Sequence, residues 1–328
     1  MALSWSVLDL DLPAEVSRIC EGIRDSVVRI LRKRGGVVAI SGGVDSAVCT
    51  ALAVRALGPE RVLGLILPER ESVDESAERA GALILQLGIS HIEQDITATL
   101  EALGCYRLRD DAARRTVSAY GPGWRMKIVV AGGLDGRINH FRLIAEGPDG
   151  ARHETRLGLR EYLEIVAATS FKQRVRKTVE YFHADRMNFA VIGTPNRLEY
   201  DQGFFVKNGD GAADIKPIAH LYKSQVYALA EYLGLPAEIA TAPPTSDTYS
   251  LPQGQDELYF AMPYKEMDLA LWALSHAIPP VELARVLGTT EERAQHVYRD
   301  IRAKRRTTVY LHRRPLLLAP VPEVDLAG

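Results

Sequence analysis

Apolar residues recur along this chain at two alternating spacings. Between residues 13 and 33, Val16, Ile19, Ile23, Val27 and Ile30 follow one another at steps of three and four, the spacing that lines one face of an α-helix. Pro13 suits its first turn and Gly35 its end. GVVAI at 36–40 is a short β-branched run that stops abruptly in SGG, and SAVCTALAVRAL from Ser46 reads as a buried helix. The succession then returns. RVLGLILP (61–68) reads as a second strand, DESAERAGALILQLG (74–88) as a helix and SHIEQDI (90–96) as a third strand. After an interruption, a helix over about 160–183 precedes NFAVIGT (188–194), another buried strand. Strands alternating with helices of this length predict an α/β fold with a doubly wound parallel sheet.

The interruption has a different texture. Residues 124–158 hold MKIVVAGG and INHFRLIAEGPDGARHETRL, two or three extended segments with PDG as a hairpin turn, which predicts a small β insert laid on the main sheet. Beyond 220 the pattern turns helical. KSQVYALAEYLG is followed by a Pro- and Thr-rich loop, APPTSDTYSLPQGQ, and by amphipathic helices near 264–276, 280–287 and 290–304, while VPEVDLAG is expected to fray. The expected layout is one domain over 1–328, with a β-rich insert at 105–160 and a helical C-terminal extension at 237–328.

Charge and cysteine usage narrow the setting. Forty basic against 42 acidic residues leave a net charge of -2, which provides no field for a polyanion and so does not favour nucleic acid. Cys20, Cys49 and Cys105 lie far apart and form no CxxC pair, which argues against a disulfide framework or a zinc site and suits a reducing compartment. MALSWSVLDLDLPAEV carries acids where a signal peptide has bases, and no apolar run approaches the ~18–20 residues that span a bilayer. A cytoplasmic, unprocessed chain with no membrane partner is expected.

The chemistry begins where the first strand ends. Ser41, Gly42, Gly43, Val44, Asp45 and Ser46 form SGGVDS across the strand-to-helix turn, the place where open α/β sheets bind ligands. Gly42 and Gly43 have no side chain to hold a phosphate off the backbone, Ser41 and Ser46 add hydroxyls, and the helix N-terminus presents unpaired N–H groups to an anion. GxxxxGK[ST] is missing, so this is not a Walker loop. Asp45 inside such a cradle would repel phosphate unless a cation bridged them, which points to Mg²⁺. The plainer alternative is a tight turn that Asp45 merely caps.

SGGVDS resembles the signature of the N-type ATP pyrophosphatases, which cleave ATP between the α- and β-phosphates and have the adenine nucleotide alpha hydrolase-like fold. GTPNRLEYDQGFFVKNGDGAADIKPIAHLYKSQVYALAEYLGLP, from Gly193 to Pro236, resembles the longer pattern of the NAD synthetases. That resemblance implies metal ligation by Asp45 and Glu199, ATP contacts from Thr194, Thr245 and Lys223, and substrate contacts from Lys172, Arg176, Asp210, Asp256 and Glu257, with Asp45, Lys223 and Asp210 at the reacting phosphates. It covers roughly residues 15–100 and 165–275, judged from motif spacing. It implies ATP and Mg²⁺, deamido-NAD and ammonia as substrates, adenylation followed by amidation with release of AMP and pyrophosphate, and a homodimer. The chain has no room for a glutaminase, so ammonia is taken free or from a separate glutaminase. The insert lies where the acceptor and a closing loop are expected, and so bears on which carboxylate is taken. Two further readings stay open. One is an amide synthetase of the same fold acting on another carboxylate. The other is a sulfur-transfer enzyme using Cys105, whose neighbours Arg107 and Arg109 would lower its pKa. A nucleotide-binding regulator would not need Asp45, Glu199 and Lys223 together. His183 and His220 read as packed or surface residues, and Cys20 and Cys49 as core.

Overall fold

The apolar runs become strands because both of their faces are covered. The computed structural model describes residues 3–132, 140–245, 248–319 and 321; Ser246 and Asp247, and the VPEVDLAG end apart from Val321, lie outside them. In chain order the strands are Gly36–Ala39 (β1), Val62–Ile66 (β2), Ser90–Glu93 (β3), Arg125–Ala131 (β4), His140–Glu146 (β5), Arg152–Arg156 (β6) and Ala190–Val191 (β7). The helices are Leu12–Arg24 (α1), Val44–Leu57 (α2), Asp74–Leu87 (α3), Thr97–Ala102 (α4), Cys105–Thr116 (α5), Leu159–Met187 (α6), Arg197–Gln202 (α7), Lys223–Tyr232 (α8), Ala237–Ala240 (α9), Tyr264–Ser275 (α10), Pro280–Leu287 (α11) and Glu291–Thr308 (α12).

One sheet has the order β3-β2-β1-β7, with every pairing parallel. Alternate side chains leave its two faces. Val38, Ile40, Val62, Ile66, Ala190 and Ile192 pack with α1, α2 and α8, while Val37, Leu63, Leu65 and Val191 pack with α4, α5 and α6. This is the doubly wound arrangement. Because β1 lies between β2 and β7, the chain winds outward from it through β2 and β3 and then returns to its other side at β7, and a crevice opens at the carboxyl ends of β1 and β7.

Three expectations need correction. The helix expected over 13–33 is α-helical only to Arg24, and Asp25–Ile30 forms a π-turn in which the Leu31 amide reaches the Ser26 carbonyl at 2.9 Å. The extra residue per turn rotates the face, so Val27 stays buried and Ile30 turns out to solvent. The strand expected over 188–194 is regular for only two residues and continues as an isolated bridge from Ile192 to Ile215. The insert is the antiparallel sheet β4-β5-β6, and it does not lie on the parallel sheet. Met126, Ile128, Leu143 and Ala145 instead pack with Ala112 and Ala113 of α5, Ile165 of α6 and Tyr249 in a separate core. The first part of the 105–160 block is itself the helix α5. A further core joins α10, α11 and α12 to Leu3, Leu8 and Leu198. Among the described residues, no helix is long and apolar enough to cross a membrane.

Candidate active site

The turn after β1 is shaped by close approach. Gly42 has φ +76, and a Cβ there would lie 2.4 Å from the Ser76 carbonyl oxygen of α3, so any side chain would be strained and would push α3 away. Gly43 faces open space, since its Cβ would meet nothing nearer than Ser41 Oγ at 3.4 Å. Ser46 is buried and braces the turn, its hydroxyl donating to the Gly43 carbonyl at 2.9 Å while it accepts the Ser41 amide at 3.2 Å. The first turn of α2, with Asp45 in it, then opens onto a cavity of about 770 Å³.

Three elements bring charge to this mouth. Lys223 is the first residue of α8; its amide and that of Ser224 donate to the buried carboxylate of Asp268 on α10, at 3.1 and 2.7 Å. Burial pushes Asp268 up to about 6 against these bonds. So fixed, Lys223 reaches across to form an ion pair with Asp45. Burial alone would lower the proton affinity of Lys223, but Asp45 and Glu199 outweigh it and hold its pKa above the ordinary lysine value. Asn196 joins the two acids: its Nδ2 donates to Asp45 at 3.2 Å, and its amide donates to Glu199 Oε2 at 3.1 Å in a capping box at the start of α7. Burial first, and the Asp45 carboxylate second, push Glu199 up to about 8 against the pull of Lys223. The mouth thus sets two acids against one ammonium.

A second buried cluster reaches the same cavity through Glu69 and Lys172. Lys172 of α6, 1 % exposed, gives its ammonium protons to Glu69 at 2.9 Å, Glu71 at 2.7 Å and the Thr248 carbonyl at 3.2 Å. Tyr106 of α5 donates to Glu69 at 2.6 Å, and Arg109 holds Glu71 at 2.6 and 2.8 Å. Burial alone would raise Glu71, yet Arg109 and Lys172 hold it down at about 2.

Ser41 to Ser46, Lys172, Arg176, Thr194, Glu199, Asp210, Lys223 and Thr245 all line this one cavity. Arg176 gives its Nε to the Leu67 carbonyl at 3.1 Å. Asp210 accepts the Val206 amide at 2.7 Å and steadies the turn that carries Asn208 at φ +61. Asp256 and Glu257 are not part of the lining; both are exposed, and Glu257 pairs with Lys127 of β4 at 2.6 Å. Cys105 is buried and gives its thiol to the Ala168 carbonyl at 3.2 Å; burial pushes it up to about 11, despite Lys172 and Arg109, so it is no thiolate nucleophile. Cys20 and Cys49 are core, His183 bonds Arg186, and His220 bonds Glu15 outside the cavity.

Sequence reasoning missed Asn196, Gln255 and Asp268. Gln255 donates to Glu199 at 3.1 Å. Asn196 had a signal, the Asn-x-x-Glu spacing of a capping box. Asp268 had a weaker one, an acid inside the apolar run EMDLALWAL. Gln255 had none.

The family model described as NAD synthase matches residues 15–131 and 151–308. The NH(3)-dependent NAD(+) synthetase of Rhizobium meliloti (strain 1021) is 52% identical over 99% of this chain and 97% of its own. Among solved structures, an NMN synthetase from Francisella tularensis is similar with TM-score 0.61 at 24% identity, covering 95% of this chain and 99% of that one. An NH3-dependent NAD synthetase from Campylobacter jejuni gives TM-score 0.62 at 21% identity, covering 94% and 100%. At those identities the two structures speak for the fold alone. The family match is wider than the motif spacing implied, since it takes in α5, β4 and α12 and leaves out 132–150 between its parts.

Proposed function

The chain belongs to the NAD synthase family, and from that premise we propose that it makes NAD from deamido-NAD, ATP and ammonia, as an ammonia-dependent NAD synthetase. The observation that carries the reading is the Lys223 ammonium bonded to Asp45 at the mouth of the SGGVDS turn, with Glu199 beside it in one cavity.

In this reading a carboxylate oxygen of deamido-NAD bonds to the α-phosphorus of ATP, the bond to the β-phosphate breaks, and pyrophosphate leaves toward the N-terminus of α2. Ammonia then attacks the acyl carbon, AMP leaves, and a proton passes to solvent. Gly42, Gly43 and Val44 offer backbone N–H groups to the leaving phosphates, and Ser41 its hydroxyl. Lys223 offsets charge at the α-phosphate, and Thr194 and Thr245 hold the nucleotide. The cavity wall keeps water from the adenylate, which water would otherwise hydrolyse. Lys172, Arg176 and Asp210 order the substrate side, Lys172 through the wall it anchors.

Asp45 and Glu199 suit a dication, because two half-buried acids share one ammonium and Glu199 is driven toward its neutral form. Among the described residues no three or more His, Cys, Asp or Glu are grouped so that they could hold a metal ion by themselves, so a cation here would take its remaining ligands from phosphate and water, as Mg²⁺ does. When bound, Mg²⁺ would neutralise phosphate charge. A homodimer, ammonia taken free or from a separate glutaminase, a cytoplasmic setting, and a single catalytic unit over 1–328 with its insert at 105–160 and helical extension at 237–328 complete the proposal.

The test supplies ATP, Mg²⁺, ammonium and deamido-NAD and follows NAD, AMP and pyrophosphate by mass spectrometry, with the acceptor omitted as control. Equal yields of NAD and AMP are expected. Pyrophosphate release that does not depend on deamido-NAD would overturn the assignment of the acceptor.

A further inference from the structure

The insert and residues 249–257 are joined along their length. The Met126 amide of β4 donates to Ser250 Oγ at 2.9 Å, and the Met126 carbonyl accepts the Leu251 amide at 3.1 Å. Gln253 is buried, with its Nε2 donating to the Ile128 carbonyl at 2.5 Å. Lys127 closes the seam by donating to the Pro252 carbonyl at 3.1 Å and to Glu257 at 2.6 Å. From the other side, the Thr248 carbonyl is held by Lys172 at 3.2 Å.

What this seam holds is a wall of the cavity. Tyr249, Gln255, Leu258 and Tyr259 line it, and Gln255 Nε2 reaches Glu199 Oε1 at 3.1 Å. A path of direct bonds therefore runs from the insert strand, through 250–255, to the acid pair at the mouth of the SGGVDS turn. Before the turn at Asp256–Phe260 the segment has little regular structure of its own, only the Thr245–Gly254 bridge. Such a stretch would otherwise lose its conformational freedom when the nucleotide bound, at the expense of affinity.

We propose that the insert is the clasp of this active site: β4 sets residues 249–257 in place before any ligand arrives, and Gln255 is thereby a positioning residue for the Glu199 carboxylate. The proposal rests on the functional reading only in taking Glu199 to lie beside the reacting phosphates.

The test combines hydrogen–deuterium exchange on the ligand-free full chain with steady-state kinetics in ATP. In the Lys127→Ala, Gln253→Leu double variant, amides within 249–257 are expected to exchange about tenfold faster. KM for ATP should rise about three- to tenfold with kcat within about twofold. Lys127→Arg with Gln253 intact keeps a cation in reach of Pro252 and Glu257 and should leave both readouts close to wild type. Gln255→Ala should leave the exchange of the segment unchanged and lower kcat about tenfold. If the buried Gln253→Leu change disturbs folding, Lys127→Ala alone carries the same readouts. Unchanged exchange in the folded variants, or faster exchange with an unchanged KM, would overturn the clasp. Failure of the functional reading looks different, since wild-type protein would then make no NAD while the exchange result stood.

Discussion

Lys172 and Lys223 are both withdrawn from solvent, 1 % and 2 % exposed, on the wall of one cavity, yet their surroundings follow opposite plans. Lys172 spends its protons on two carboxylates and a carbonyl, and those carboxylates are met in turn by Tyr106 and Arg109. Lys223 faces Asp45 with Glu199 close behind, and among the described residues no ion pair to a cationic side chain forms at Glu199. The pKa shifts record the difference: Glu71 is held at about 2, whereas Glu199 is driven to about 8. A buried charge cluster that closes on itself supports the fold, while one left short of a cation is prepared for a ligand.

Breaking the closed cluster should have the largest effect. Arg109→Met removes a guanidinium that is 3 % exposed and leaves Glu71 buried with half its partners gone, a change that costs about 3–5 kcal/mol. Urea denaturation of the ligand-free protein reads it directly, and a loss below about 1 kcal/mol would mean that the cluster is solvated after all. The open cluster should respond the other way. Asp45→Asn removes one of the two acids facing Lys223 and a carboxylate from the cation site, but leaves Glu199 as the counter-charge of the ammonium, so turnover should fall about 10²–10³-fold while the urea midpoint stays close to wild type. Normal pyrophosphate release by that variant would sink the metal assignment.

Glu199→Gln sharpens the contrast. It keeps the shape of a side chain that accepts from Asn196 and Gln255 but removes the second negative charge beside Asp45. Ligand-free stability should rise by roughly 1–2 kcal/mol, as relief of functional strain commonly gives, while activity is lost. A lower urea midpoint would show that Glu199 is satisfied as it stands, and the two clusters would no longer differ in kind.

The open cluster was the more legible of the two in the sequence, for a physical reason. SGGVDS and the Gly193 to Pro236 stretch are local, because a phosphate cradle and a capping box are made by neighbours in the chain. The parallel strands were legible too, since burial on both faces leaves unbroken apolar runs. The closed cluster joins Glu69 and Glu71, after β2, to Tyr106 and Arg109 on α5 and Lys172 on α6. No period encodes such distant pairing, so the resemblance offered Lys172 only as a substrate contact, and the carboxylates that take up its ammonium were not legible. The seat of the insert was hidden likewise, because alternation along β4 tells which face is apolar but not whether α6 or the main sheet covers it.

The smallest expected effect separates the clusters by pH. Glu71 has a folded-state pKa lowered from 4.5 to about 2, so the stability it contributes is present above about pH 4.5 and drains away as pH falls toward 2. Between pH 6 and pH 4 that loss amounts to about 1 kcal/mol for this group. Other carboxylates titrate over the same interval, so the quantity to measure is a difference: the change in urea-derived stability from pH 6 to pH 4 in wild type minus that in Glu71→Gln. Wild type should lose about 1 kcal/mol more than the variant, because the variant has no carboxylate there to protonate. Equal losses would mean that Arg109 and Lys172 do not hold Glu71 ionised, and the closed cluster would then be no better satisfied than the open one.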